Sequence, residues 1–491
     1  MELWWFWITA IIAIGLKKLF DLVIQIRQLP PGPWGLPFIG YLPWTSHEAY
    51  TTFVELGKKY GGLFSVTLGG DTMVILNDWP TIKATLVDNS KLFSGRPNTF
   101  MFKASIDRKN IAFSDGAVWN VQRRTTVQCL RNTGMGRKSM EDIIKDSIQM
   151  LTDDLIISND KVVPMNSMFY STIFRINWSF IQGYSGLDEN DKMKKLAKIT
   201  KKVVHHLGTN DAVNVFPWLR FVPPNGFGFR KFQKCNNKLK SLLRNLIHER
   251  MERSPNGEES DFIDFYIAEI KKHTKDGEET APFDTEHIIG TVWDMFLAGG
   301  DTVNVTTQWG FLYLGYFDEV QKKLQSELDT VIGKQRLLTI SDFPQLPYLD
   351  AVVKEIHRMA SILPLSVPHC PNENFKINGY TIPKGTTCLQ NMYAVHHDPI
   401  LWDEPEKFKP ERFLTIDDKP ISPPYFMPFS IGPRLCIGQA VAEMELKFMF
   451  GVLFHKFSFL LPPNQPKPTL KRYTGIISNT ETYSLLVKIR N

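Results

Sequence analysis

Apolar residues recur along this chain at two spacings. Steps of three and four dominate 140–157, 235–251, 287–313, 319–332 and 348–359, and they predict helices that each bury one face. Alternation is rarer. Segments 63–68 and 72–76 read as two strands around a Gly69-Gly70-Asp71 turn, and 375–382 reads as a second pair turning at Asn378-Gly379. The pattern predicts a mainly α (α+β) fold, a single large helical body with small peripheral sheets.

The first residues follow neither spacing. Residues 3–16, LWWFWITAIIAIGL, carry no charge; Lys17 and Lys18 follow, then an apolar stretch over 19–26 broken by Asp21. A charge-free run of 14 residues falls short of the ~20 that a membrane-crossing helix needs, so the amphipathic continuation has to contribute. A cleaved signal peptide wants basic residues ahead of its apolar run, whereas here Glu2 precedes it and the lysines come after. The expectation is an N-terminal membrane anchor over 1–28, with the body on the cytosolic side. Leu29-Pro30-Pro31-Gly32-Pro33-Trp34 then opens a proline-rich hinge over 29–45, stiff because proline fixes the backbone and removes amide donors. The remaining domain is expected to occupy 46–491.

Composition narrows the function. With 57 basic and 51 acidic residues spread along the chain, the net charge of +6 is a balanced surface, and it gives no nucleic-acid footprint. Five cysteines without C-x-x-C spacing suggest neither a disulfide framework nor a covalently attached cofactor. The sequons at Asn177 and Asn304 are expected to stay unmodified on a cytosolic body.

Chemistry concentrates in Pro428-Phe429-Ser430-Ile431-Gly432-Pro433-Arg434-Leu435-Cys436-Ile437-Gly438-Gln439, ahead of the helix-like AVAEMELKFMF. A cysteine just before a helix start meets free amides and, beside arginine, positive charge, which together favour the thiolate that a metal requires. Gly432 and Gly438 permit close approach to a flat cofactor, Phe429 can pack beside the sulfur, and Arg434 can offer its guanidinium to a carboxylate. Upstream, Glu355 and Arg358 share one helix face at i and i+3. Ala298-Gly299-Gly300-Asp301-Thr302 places two glycines inside an apolar helical stretch, a choice that weakens the helix and calls for another justification.

The loop around Cys436 resembles the haem-binding loop F-x-x-G-x-R-x-C-x-G of the cytochrome P450 family, and it matches at Phe429, Gly432, Arg434, Cys436 and Gly438. The likeness runs from the anchor to the C-terminus and is of the microsomal animal type. It implies haem b with Cys436 as the axial thiolate ligand to iron. It also implies a buried network of Glu355, Arg358 and Arg412, proton delivery by Asp301 and Thr302, and propionate contacts from Trp119, Arg123, His369 and Arg434. Val303 stands where many relatives have threonine or serine, which leaves the water chain open. The implied activity is an NADPH- and O2-dependent monooxygenase at the cytosolic face of the endoplasmic reticulum membrane. No G-x-G-x-x-G lies in a strand-turn-helix setting, so electrons would come from a separate NADPH-dependent flavoprotein reductase. Arg123, Arg124, Arg131 and Arg137 are candidates for its docking face. The substrate would be lipophilic, from candidate pocket segments 98–106, 293–299, 363–367 and 475–477. Hydroxylation and epoxidation both stay open, as do an insect-type terpenoid (farnesoate or juvenile-hormone precursor), a steroid or ecdysteroid, and a xenobiotic. A haem-thiolate isomerase that needs no oxygen is the alternative from another reaction class.

Overall fold

A computed structural model of the chain describes residues 28–490 apart from 135–137, 184–189, 209–210, 254–260, 276–283 and 334–335. The anchor expected over 1–28 lies outside the described residues but for its last residue. Among the described residues no helix is long and apolar enough to cross a membrane. The chain divides into two compact units, one of residues up to Pro97 with Leu365–Ala394, the other of Asn98–Pro364 with Val395–Asn491.

In the smaller unit Leu63–Leu68 pairs antiparallel with Asp71–Leu76, which in turn runs parallel to Cys388–Gln390. Leu68 faces Asp71 across the turn, so Gly69 and Gly70 alone make it. The second hairpin, Phe375–Ile377 with Tyr380–Ile382, turns through Asn378 and Gly379 at φ of 51° and 81°. Both values are positive, which a type I′ turn demands and which asparagine and glycine tolerate best. Phe53 and Leu56 of the Ala49–Tyr60 helix pack against Phe64, Val66 and Ile75 to form the core of this unit. The proline segment lies along the first strand: the Ser65 amide donates to the Pro31 carbonyl at 3.0 Å and the Ser65 hydroxyl to the Pro30 carbonyl at 2.7 Å.

The larger unit is helical. Its axis is the Thr285–Tyr316 helix, started by an Asp284 carboxylate that accepts the His287 amide, and buried on every side from Val303 to Gly315. A helix hydrophobic all round belongs inside a large core. Around it stand Gly116–Asn132, Lys138–Ile157, Tyr170–Gln182, Phe229–Arg253, Pro347–Ala360 and Gln439–Lys456. Phe311 meets Phe169, Phe450, Phe454 and Phe459 at ring separations of 4.5, 5.7, 4.9 and 4.7 Å, tying the helix to the Val162–Pro164, Phe457–Leu460 and Ser484–Ile489 sheet. The expected mainly helical fold with small sheets is what the structure has.

Candidate active site

The loop around Cys436 is held by its own backbone. The Cys436 amide donates to the Phe429 carbonyl at 3.0 Å, and the Leu435 amide to the Gly432 carbonyl at 3.1 Å. Closing so short a loop needs left-handed residues, supplied by Ser430 at φ 62° and Gly432 at φ 76°. Gly438 acts differently: its φ of −88° suits any residue, but a β-carbon there would stand 3.8 Å from the Cys436 sulfur. The amides of Gly438 and Gln439, at the start of the Gln439–Lys456 helix, aim at that sulfur. Cys436 keeps accessible surface, yet it lies deep enough that burial outweighs those amides and the Arg123 charge, and its thiol is pushed up. A bound cation would pull the other way, since metal ligation favours the thiolate.

Beside the loop three donors gather. Arg434 is buried and lies 3.8 Å over the Trp119 ring, donating to the carbonyls of Ile111 at 3.2 Å and Ser114 at 2.7 Å. Arg123, on the same helix as Trp119, donates to the Leu435 carbonyl at 2.6 Å. The Trp119 indole N–H is buried without an acceptor. An unmet buried donor costs roughly 1–3 kcal/mol, so this one fits a site built for an acidic group. Together with the cysteine, the donor set suits a haem, whose edge carries carboxylates and whose iron takes a thiolate.

His369 belongs to the smaller unit. It is buried, with Nδ1 2.8 Å from the Phe93 carbonyl and its backbone bridged to Cys388. Near it in space, buried Arg96 donates to the Val367 and Pro368 carbonyls at 3.1 and 2.7 Å. Arg96 escapes a motif search because a lone arginine in a loop has no spacing to betray it.

The long helix runs unbroken through Ala298–Thr302. Close packing explains Gly299, where a β-carbon would stand 2.6 Å from the Asn177 side-chain oxygen. The Thr302 hydroxyl donates to the Ala298 carbonyl at 2.6 Å, a back-bond that an α-helix accommodates. Asp301 is raised above the usual carboxylate range by burial, which Lys201 partly offsets. Two turns earlier, Asp294 accepts from Asn110 Nδ2 and from the Ile111 and Ala112 amides at 2.6, 2.8 and 2.9 Å. Segment 110–114 is therefore pinned from one side by Asp294 and from the other by Arg434. Phe113 of that segment stacks on Phe102 at 3.8 Å and meets Trp293 edge-on, making an aromatic wall with the Phe100–Ile106 helix. The sequence held a sign of Asp294, the one charge between His287 and Gly300 in an apolar run, since buried charge persists only where it is paired.

Glu355, Arg358 and Arg412 meet. Arg358 grips both Glu355 oxygens at 2.8 Å, Arg412 Nε reaches Oε1 at 3.1 Å, and the Lys409 amide adds a fourth bond at 2.9 Å. Glu355 and Arg358 are fully buried, and Trp402 lies under both guanidiniums. On the outer side of the Gly116–Asn132 helix, Asn120, Arg123, Arg124, Gln128 and Arg131 line an open depression of about 520 Å³. Arg137 lies outside the described residues.

The sequence model of the family described as Cytochrome P450 matches residues 30–487. The chain is similar to Cytochrome P450 2J2 of Homo sapiens, 35% identical over 464 residues, covering 94% of this chain and 91% of that one. It is also similar to Cytochrome P450 18a1 of Drosophila melanogaster, 31% identical over 475 residues, with 95% and 88% covered. With Cytochrome P450 2U1 of Homo sapiens it shares 30% over 494 residues, covering 95% and 90%.

Proposed function

The chain belongs to the cytochrome P450 family of haem-thiolate monooxygenases, and from that premise we propose that it inserts one oxygen atom into a lipophilic substrate at the endoplasmic reticulum membrane. The observation that carries this is the pairing of a sulfur faced by two helix-start amides with an orphaned buried indole N–H beside two arginines. Bound there, a haem would supply an iron made electron-rich by its thiolate, which favours O–O cleavage over reversible oxygen binding.

The chain's own residues do the rest. Cys436 provides the ligand, and Phe429 closes its loop. Trp119, Arg123 and Arg434 hold the acidic edge of the cofactor, each through an N–H that a carboxylate can accept. Thr302 carries a hydroxyl proton that its back-bond parks on Ala298, and Asp301 holds its own proton to higher pH than a free aspartate. These two are the proposed proton carriers. Phe102, Phe113 and Trp293 offer an apolar wall that binds by excluding water.

Electrons would come from NADPH through a separate flavoprotein reductase whose acidic face meets the Arg123, Arg124 and Arg131 depression. The anchor over 1–28 and hinge over 29–45 belong to the same proposal. Exposed Trp218, Phe221 and Phe227, with Arg220 among them, favour contact with a lipid surface. The test is a carbon monoxide difference spectrum of wild type and Cys436→Ser, followed by product analysis with NADPH, reductase and a panel of sesquiterpenoids, sterols and fatty acids. A thiolate signature lost in the serine variant is expected, with oxygenated products that require NADPH. An epoxide from a sesquiterpenoid would assign terpenoid epoxidation, and hydroxysteroids alone would reject it. Turnover without NADPH and reductase would replace the monooxygenase with an isomerase.

A further inference from the structure

The Pro347–Ala360 helix carries a buried ring that neither the ion-pair network nor the proposed proton path uses. His357 stands between Glu355 and Arg358, is 7% exposed, and has an Nε2 with no hydrogen-bond partner. Burial pulls its pKa down to about 4, so the imidazole is neutral. Its ring meets Phe429 edge-on, with centroids 5.0 Å apart and planes at 65°. Phe429 is the residue whose carbonyl accepts the Cys436 amide.

A second imidazole grips the same stretch two residues earlier. His396 is fully buried, and its Nε2 accepts the Met427 amide at 3.1 Å. An accepting Nε2 leaves the proton on Nδ1, which donates to the Ser361 hydroxyl at 2.9 Å. Both ring nitrogens of His396 are thereby employed. His357 differs in leaving one of its nitrogens unpaired. If packing against Phe429 were all that was needed, phenylalanine or leucine would do it without burying an unpaired polar atom. The polarity itself must then matter to what His357 touches, and in a low-dielectric interior a ring dipole acts at longer range than in water.

We propose that His357 is a positioning residue for the cysteine loop, its polar ring fixing Phe429 and, through the Phe429 carbonyl that accepts the Cys436 amide, the setting of the Cys436 sulfur. This rests on the thiolate ligation proposed above. Polar groups around a metal's ligands tune the metal in the same way.

The test compares full-length wild type, His357→Phe and His357→Gln, each loaded with haem. Phenylalanine keeps the ring contact and loses the nitrogen, whereas glutamine keeps a polar tip. Three readouts are taken: the reduction potential, the share of thiol-ligated rather than thiolate-ligated ferrous carbonyl complex, and the thermal unfolding of the haem-free chain. In His357→Phe the potential is expected to move negative and the thiol share to rise, with haem-free unfolding no lower than in wild type. His357→Gln is expected to stay near wild type on all three. An unchanged potential and carbonyl spectrum in His357→Phe overturns the proposal, and so does an equal change in both variants, which would mean that the polar tip makes no difference. Should His357→Phe not fold, His357→Leu is measured in its place and judged by the same outcomes. A wild-type protein with no thiolate signature overturns the proposed function as well, which separates the two failures.

Discussion

Glu445, one turn and a half into the helix that follows the cysteine loop, is 1% exposed with Oε2 unpaired, and burial pushes its carboxyl up to about 8. The folded chain then keeps a proton that the unfolded chain releases above the ordinary value of 4.5, so stability contributed by this group falls as pH rises from 4.5 towards 8. Glu445→Gln retains the shape without the proton. It is expected to melt above wild type at pH 8, with the gap closing towards pH 5; equal melting at both would show that the carboxylate finds a partner. His357 and His396 work in the opposite direction. Burial lowers them to about 4 and 3, so the unfolded chain takes up protons that the folded one refuses, and stability falls as pH drops from 6.5 towards 4. In the ion-pair network, Glu355→Ala leaves two guanidiniums unpaired in the interior and is expected to cost about 3–5 kcal/mol in urea unfolding. The sequence makes Glu355, Arg358 and Cys436 legible because their spacing is short and fixed. Glu445 and His357 are not legible, since nothing in the local pattern says which helix face the rest of the chain will cover.

Two elements depend on single contacts that periodicity does not reveal. Asp294 pins segment 110–114 with three bonds to one carboxylate, and hydrogen bonds to a charged group are worth about 1.5–3 kcal/mol. Asp294→Asn is therefore expected to destabilise the chain by roughly that amount. It should also raise hydrogen exchange at the Ile111 and Ala112 amides and broaden the product distribution through Phe113. Unaltered exchange at those amides would remove the pinning role. Gly310 marks a close crossing, where a β-carbon would stand 2.2 Å from Phe450 Cζ and 2.8 Å from Ile356 Cδ1. Gly310→Ala is expected to cost about 1–3 kcal/mol by overpacking, read as a lower denaturant midpoint. The amphipathic helices and both hairpins were readable because a 3.6 or 2.0 period, or an Asn-Gly turn, fixes them locally. Phe229–Arg253 begins six residues before its expected start, since Phe229 and Phe232 are buried by neighbours that the local pattern does not contain. Gly116–Asn132 gave no clear period because it buries Gln122, Thr125 and Thr126 along with its apolar residues.

At the scale of the molecule, surface charge is expected to govern the supply of electrons. Arg124→Glu with Arg131→Glu should lower reductase-driven turnover several-fold at low salt and flatten its salt dependence, because steering between opposite charges is screened within a Debye length. Direct chemical reduction of the haem should be unchanged; an equal loss there would point to damage at the cradle. The family and its fold were legible from ten residues around Cys436. The division into two units was not, because no change of composition marks Pro97, Pro364 or Ala394, and only the contacts made after folding separate them. Finally, the buried indole N–H of Trp119 has no acceptor within the chain, and a carboxylate of a bound haem would supply one. A ligand that binds only the native form adds to its stability by mass action. Porphyrin supply should therefore set how long each copy lasts, so that blocking porphyrin synthesis shortens the protein's half-life in a pulse–chase instead of leaving a dormant stock; an unchanged half-life would mean the empty chain is already secure.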